Sequence, residues 1–212
     1  RSDEPCTYNG TWSDRKLSKG NLEQKDAHVG AVIGFKTKKG ETVHIKVASS
    51  FISAEQAALN LTRELGNDIF TATMQKGQTA WNQELGRLTV DGGTDAQIRT
   101  FYSCLYRALL FPRKFYEFDA QNKVVHYSPY NGQVLPGYMF TDNGFWDTFR
   151  SAIPFFTLMY PTLNSHIMEG LVNAYKESGF LPEWASPGHR DCMIGSNSAS
   201  LIADSYIKGI RG

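Results

Sequence analysis

The pattern of hydrophobic and polar residues changes once along the chain. Apolar and polar residues alternate in segments 31–37 and 42–52, which is the period of β-strands. The Lys39-Gly40 pair between these segments predicts a turn, so the two strands are expected to form a hairpin. From residue 53 onwards, the spacing of apolar residues becomes that of α-helices.

The second part of the chain predicts a linker helix followed by five helices in series. Capping-box patterns begin two of them, Ser53 with Gln56 and Thr94 with Gln97. Pro154 is expected to kink or restart the fourth helix, because proline cannot supply a backbone N–H. The predicted helices cover residues 53–65, 67–88, 94–112, 144–160, 162–179 and 197–208. The chain is therefore predicted to be mainly α, after a β-rich beginning.

One long connection, residues 113–144, interrupts the helical pattern. It contains proline, glycine and asparagine between short β-like pieces, and the Asn131-Gly132 pair predicts a small hairpin. Long structured loops often hold functional residues. This connection is therefore a candidate location for functional residues.

Composition narrows the class of protein. The 212 residues are 41% hydrophobic and 20% charged, as in soluble globular proteins, and the net charge is +1. So small a charge predicts no attraction to nucleic acid or to anionic membranes, and no apolar run reaches the roughly 18 residues of a membrane span. The first residues do not resemble a signal peptide.

The three cysteines, Cys6, Cys104 and Cys192, are too few and too scattered to suggest a disulfide framework. Cys104 falls on the apolar face of a predicted helix, where we expect it to be buried as a small hydrophobic residue.

Two loops have the same unusual composition, DNGFWDTFR at 142–150 and GFLPEWASPGHRD at 179–191. Each brings a tryptophan, carboxylates and an arginine to the edge of a helix. Aromatic rings stack on the apolar face of a sugar, while carboxylate and guanidinium groups bind adjacent hydroxyls. These residue types therefore suggest a carbohydrate site.

A structural role is an alternative for each of these side chains. Trp146 and Trp184 could be core residues, and Asp147 could be an acid that is favourable near a helix N-terminus. Arg150 is then expected to be the ion-pair partner of Asp147 or a solvated residue, and Arg190 could pair with Asp191 in its loop.

Four motifs give these residues a family context. FYSCLYRALLFP, GFWDTFRSAIPF, ESGFLPEW and CMIGSNSASLIADSYIKGI follow one another and resemble the glycoside hydrolase family 92 α-mannosidases. The resemblance extends over about residues 29 to 210. It implies the end of an N-terminal β-sandwich at 1–52, a linker helix at 53–65, and the first part of an (α/α)6 barrel at 66–212, with about five of its twelve helices.

The resemblance also implies a function. Family members are calcium-dependent exo-acting enzymes that remove terminal α-mannose with inversion from mannosides, N-glycans or mannans. Most are exported by bacteria, to the periplasm, the cell surface or the medium. The expected partners are a mannose-containing glycan and the remaining part of the same polypeptide.

Site residues can be carried over from the family motifs one by one. Trp146 and Asp147 match the Trp-Asp pair that lines the terminal-sugar subsite, where Asp147 would bind mannose hydroxyls. Arg190 falls where the family has an arginine near that subsite, and Trp184 matches a position that is either structural or site-lining. The catalytic acid, the base and the calcium ligands are expected beyond Gly212, with no metal ligand in this chain.

Two other functions remain open at the level of sequence. Helical hairpins and aromatic loop residues also fit another (α/α)6 glycosidase, of the glucoamylase or trehalase type. A non-catalytic helical carbohydrate-binding segment is the second alternative.

Overall fold

The computed structural model describes residues 2–211 of the chain. Near the N-terminus lies a three-stranded antiparallel sheet in the order β2-β1-β3. Its strands are β1 (Tyr8–Ser13), β2 (Lys16–Lys19) and β3 (Val29–Gly34). Sequence reasoning missed β1 and β2, because both strands are short and lack a clear apolar alternation.

The predicted hairpin between segments 31–37 and 42–52 is wrong. The turn itself is present, since Lys38 O accepts a hydrogen bond from Glu41 N over 3.1 Å. However, β3 pairs with β1 along its whole length, and segment 42–52 contributes just one isolated bridge, at Ile45. Several apolar side chains of this segment are exposed, Val47 at 80%, although Phe51 packs on Phe115 with the ring centroids 4.2 Å apart.

Three helices follow at the predicted places, with slightly different ends: α1 (Ala54–Glu64), α2 (Phe70–Leu85) and α3 (Asp95–Ala108). The predicted capping box of Thr94 and Gln97 is complete. At α1, Ser53 accepts from Gln56 N, but the Gln56 side chain donates to the Phe118 carbonyl oxygen instead of returning to Ser53. The capping box at α1 is therefore incomplete, because the Gln56 side chain bonds to Phe118, 62 residues further along the chain, instead of to the Ser53 backbone.

The connection after α3 consists of short strands: β4 (Arg113–Lys114), β5 (Glu117–Phe118), β6 (Val124–Tyr127), β7 (Val134–Pro136), β8 (Phe140–Thr141) and β9 (Asn143–Gly144). The hairpin predicted around Asn131-Gly132 is confirmed, since β6 pairs antiparallel with β7 on either side of it. Gly132 has a φ of 75°, which glycine adopts without a steric penalty.

The last part of the described chain contains α4 (Phe145–Thr148), α5 (Ala152–Met159), α6 (Pro161–Ser178), β10 (Trp184–Ala185) and α7 (Asn197–Ile207). The predicted helix 144–160 is thus two helices. Pro154 lies in the first turn of α5, where backbone N–H groups have no partner within the helix. The expectation that this proline restarts a helix is confirmed.

The main hydrophobic core lies between α4, α5, α6 and α7. Its most buried members include Phe145, Ile153, Phe156, Ile167 and Leu201, each no more than 3% exposed. Because Phe145 is the first residue of α4, the core anchors this short helix and with it the residues that follow. Within residues 2–211, every helix is too short or too polar to cross a lipid bilayer.

The environment of Cys104 differs from the expectation. Cys104 is exposed, as are Cys6 and Cys192, and all are free thiols. The neighbouring Leu105 is the buried residue of α3, at 6% exposure. The packed face of α3 is therefore narrower than its amphipathic pattern suggests.

A buried histidine–glutamate pair joins the β6-β7 hairpin to α6. His126 Nε2 lies 2.9 Å from Glu177 Oε1, and the two side chains are 0% and 8% exposed. The other ring nitrogen, Nδ1, lies 2.9 Å from the Gly137 carbonyl oxygen. Since a carbonyl oxygen only accepts, Nδ1 carries the hydrogen of that bond.

Replacement of His126 by alanine is expected to destabilise the protein strongly. The change leaves the Glu177 carboxylate buried without its partner, and breaking such a pair typically costs about 3–5 kcal/mol of unfolding free energy. Chemical denaturation of the full-length protein measures this loss, with the exposed His28→Ala as the matched control. Equal midpoints for the two variants would show that the buried pair contributes little.

Candidate functional site

The two tryptophan-containing loops meet in a small antiparallel sheet. Strand β9 pairs with β10, with Gly144 opposite Trp184. The contact extends on both sides, because Phe145 N donates to Glu183 O over 3.3 Å and Arg190 N donates to Trp184 O over 3.0 Å. The two segments that sequence reasoning selected separately therefore form one site.

Gly144 is the point at which the site residues converge. A Cβ atom at this position would lie 2.6 Å from the Trp184 ring and 2.7 Å from Asp147 Oδ2. Both distances are far shorter than normal van der Waals contacts, so only glycine leaves room for the indole and the carboxylate. The φ of Gly144 is −97°, which any residue adopts, so the requirement is for space.

Sequence reasoning did not identify Gly144 as a site residue. A glycine in a strand can mark the close approach of another group, and this was the available signal. It could not have revealed that the approaching group is Trp184, which lies 40 residues further along the chain.

Trp146 and Asp147 lie at the start of α4 and face solvent. Trp146 is 41% exposed, whereas Phe145 beside it is 3% exposed. The Asp147 carboxylate is exposed and makes no hydrogen bond or ion pair with any residue in 2–211. The helix thus has one residue in the core and exposes the next two, an indole and a free carboxylate, to solvent.

Arg150 does not pair with Asp147, so the expected ion pair is wrong, whereas its exposed side chain agrees with the alternative of a solvated residue. Its guanidinium carbon lies 4.2 Å from the Trp146 ring centroid and 5.1 Å from that of Phe149. Arg150 lies in the turn just after α4, and its guanidinium covers one face of the Trp146 indole. The opposite face of Trp146 is the one that could stack on a sugar.

The segment after β10 is held by a further set of contacts. Ala185 and His189 form a β-bridge, and His189 Nε2 lies 2.8 Å from Ser178 Oγ at the end of α6. The His189 ring also packs on Tyr130, with the ring centroids 4.7 Å apart. Burial, with the nearby negative charge of Glu177, raises the pKa of Tyr130 to about 12, so this phenol stays protonated at neutral pH.

Arg190 is fixed in the site through its backbone. Its side chain is exposed and makes no ion pair with Asp191 among the described residues, so the alternative of a loop ion pair is wrong. Trp184 is partly buried, in agreement with a residue that packs on Gly144 and also borders the site. The structure thus brings Trp184 and Asp147 to the same glycine, Gly144, and places Arg190 in the loop that follows Trp184.

Residues 2–211 contain no cluster of three or more histidine, cysteine, aspartate or glutamate side chains that could hold a metal ion. The carboxylates in and beside the two site loops do not assemble into such a group. No chemical step at this site is therefore assigned to a metal held by the described side chains.

Comparison with known proteins gives the family. The model of the glycosyl hydrolase family 92 catalytic domain matches residues 56–212. The class of protein is therefore a glycoside hydrolase. The chain belongs to family 92, as its motifs predicted, and this membership decides against the glucoamylase or trehalase alternative.

Solved structures and one curated relative agree with the assignment. The family GH92 inverting mannosidase of Bacteroides thetaiotaomicron is 51% identical, with a TM-score of 0.92 over 99% of this chain. A second α-mannosidase of that organism, solved with mannoimidazole, shares the fold, with a TM-score of 0.79 at 24% identity over the whole chain. A protein of Arthroderma benhamiae described as an uncharacterized secreted glycosidase is 28% identical over 173 residues, or 79% of this chain.

The chain is much shorter than these relatives. It spans 28% of the inverting mannosidase, 29% of the second α-mannosidase and 18% of the fungal protein. The activity of the whole protein is therefore a proposal, built on the site described above.

Proposed function

We propose that the full protein is an exo-acting α-mannosidase that removes terminal α-mannose with inversion, and that this chain supplies part of its sugar-binding subsite. The observation that carries the proposal is the meeting of Trp184 and Asp147 over Gly144, beside the exposed Trp146. The 51% identical structure of an inverting family 92 mannosidase supports it.

The chemistry of these side chains suits a sugar. The uncovered face of Trp146 can stack on the C–H face of a pyranose. The free carboxylate of Asp147 can accept hydrogen bonds from two adjacent hydroxyls, and the exposed Arg190 can donate to another. A terminal sugar needs such closely spaced groups, because nothing beyond its non-reducing end adds binding energy.

The proposed catalytic couple is not assigned to residues of this chain. An inverting glycosidase uses an acid and a base about 6.5–9.5 Å apart, with water between the base and the sugar. We place both groups, following the family resemblance, in another part of the polypeptide. In the same proposal, α2 to α7 form part of an (α/α)6 barrel. In support, α2 contacts α3, α5 contacts α6, and α6 contacts α7.

Calcium is proposed as the cofactor, with its ligands outside this chain. When bound, it would hold sugar hydroxyls through oxygen coordination. Within this chain, the proposed task of Asp147, Trp146, Trp184 and Arg190 is to bind and orient the sugar.

One experiment tests the reaction and its metal dependence together. The full-length protein is incubated with an aryl α-mannoside, and the released sugar is followed by NMR. We expect β-mannose to form first, activity to disappear with a chelator, and calcium to restore it. Initial release of the α-anomer would contradict inversion, full activity in chelator would contradict calcium dependence, and release of glucose from matched glucosides would contradict the substrate.

We also propose that the protein is exported. Support comes from the curated fungal relative, which is described as secreted. Fractionation of the source cells, with the activity assayed in the medium, envelope and cytoplasm, tests this location. Activity confined to the cytoplasm would contradict it.

A further inference from the structure

Asp142 occupies an unusual backbone position at the entrance to the site. It lies between β8 and β9 with a φ of 57°, in the left-handed region. Few residues other than glycine adopt this conformation, and aspartate and asparagine are among those that tolerate it best. The left-handed residue redirects the chain, so that β8 pairs with β4 whereas β9 pairs with β10.

The Asp142 side chain connects the same two sheets. Its Oδ1 accepts a hydrogen bond of 2.8 Å from Ser186 Oγ, in the loop directly after β10. Its Oδ2 lies 3.5 Å from an Arg113 nitrogen in β4, a partly exposed ion pair that contributes less. One residue therefore sets the direction of the chain into β9 and ties down the loop that follows β10.

The Asp142–Ser186 hydrogen bond holds the near end of the loop that leads to Arg190. The far end has separate anchors, His189 to Ser178 and the backbone bond from Arg190 to Trp184. Loss of the near anchor would therefore loosen the loop without unfolding α6 or α7. The residues affected are Trp184, which lies opposite Gly144 in the β9-β10 pair, and Arg190, whose backbone N–H bonds to Trp184 O.

We propose that Asp142 is a positioning residue, which holds the Trp184–Arg190 loop against β9 and Gly144 so that the subsite can grip a terminal sugar. This inference rests on the proposed function. Asp142 acts through Ser186 and the loop, and makes no contact of its own with the substrate.

Four variants of the full-length protein separate the contributions of conformation and hydrogen bond. Asp142→Asn keeps both the tolerance of positive φ and an oxygen that can accept from Ser186. Asp142→Gly keeps the conformation alone, Asp142→Ala loses both, and Ser186→Ala removes the donor. For mannoside hydrolysis, we expect the glycine and Ser186→Ala variants to raise KM by about tenfold with a smaller change in kcat. The asparagine variant should stay within about threefold of the wild type.

A second readout does not depend on the reaction. Amide hydrogen exchange of residues 184–190 should accelerate in Asp142→Gly and Ser186→Ala and remain as in the wild type in Asp142→Asn. The combined Asp142→Gly/Ser186→Ala variant should be no more affected than Asp142→Gly, because both changes remove the same bond.

The outcomes distinguish this inference from the proposed function. If amide exchange of residues 184–190 and the KM both stay at their wild-type values in Asp142→Gly and Ser186→Ala, the positioning role is overturned, even if mannose is released. Absence of mannose release by the wild type would overturn the proposed function, whereas selective loosening of residues 184–190 would still support the role of Asp142 in holding the loop.

Discussion

Asp147→Ala is expected to reduce kcat/KM for an α-mannoside by about 10² to 10⁴-fold, with little change in stability. A hydrogen bond to a charged group contributes about 1.5–3 kcal/mol, and the proposed role gives this carboxylate two such bonds to the sugar. Stability should hardly change, because the carboxylate is exposed and makes no hydrogen bond or ion pair with residues 2–211 that its removal would break. Steady-state kinetics and thermal unfolding of the full-length protein measure the two quantities.

Asp95 provides a matched control for this experiment. Like Asp147, it is an exposed acid in the first turn of a helix, but it lies in α3 and outside the site loops. Asp95→Ala should keep the activity of the wild type and lower stability by less than about 1 kcal/mol. If Asp147→Ala behaved like Asp95→Ala, then Asp147 would be a helix-start residue with no part in sugar binding.

Gly144→Ala is expected to lower kcat/KM by roughly 100-fold, although it adds a single methyl group. The added carbon would lie 2.6 Å from the Trp184 ring and 2.7 Å from Asp147 Oδ2, so at least one of these groups must move. A displacement of about 1 Å in a site can reduce the rate about 100-fold. The crowding should also destabilise the fold by about 1–3 kcal/mol. Activity and near-ultraviolet circular dichroism, which senses the tryptophan environment, measure the effect.

Gly77 is the matched control for this substitution. It lies inside α2, and a Cβ atom there would meet no atom within 4 Å. Gly77→Ala should therefore leave the activity unchanged and stabilise the helix by about 0.5–1 kcal/mol. Normal activity and an unchanged spectrum in Gly144→Ala would mean that the site accommodates the methyl group, and that Trp184 and Asp147 need not meet as closely as the structure shows.

Both predictions arise from the way that the two loops support each other. Phe145 anchors one loop in the core, and its backbone N–H also bonds to Glu183 of the other loop. The position of Trp184 depends on the other loop, since its ring lies against Gly144. A change in one loop should therefore alter sugar binding by residues of the other.

Local sequence was enough to predict the helices and several details at their ends. The capping box of Thr94 and Gln97 and the hairpin around Asn131-Gly132 depend on residues close together in the chain. Such features form through nearby backbone groups, so short motifs encode them directly. The hairpin expected at 42–52 failed for the opposite reason, because the partner of β3 is chosen by long-range pairing with β1.

The sequence alone determined the family, the helical series and the residue types of the candidate site, because these depend on motifs and on local spacing. It also selected Trp146, Asp147, Trp184 and Arg190 as candidates. The tertiary structure decided how they are combined. Pairing of β9 with β10 unites the two loops, and Arg150 is turned onto the Trp146 ring. The need for glycine at 144 follows from a contact with a ring 40 residues away, which local sequence does not encode.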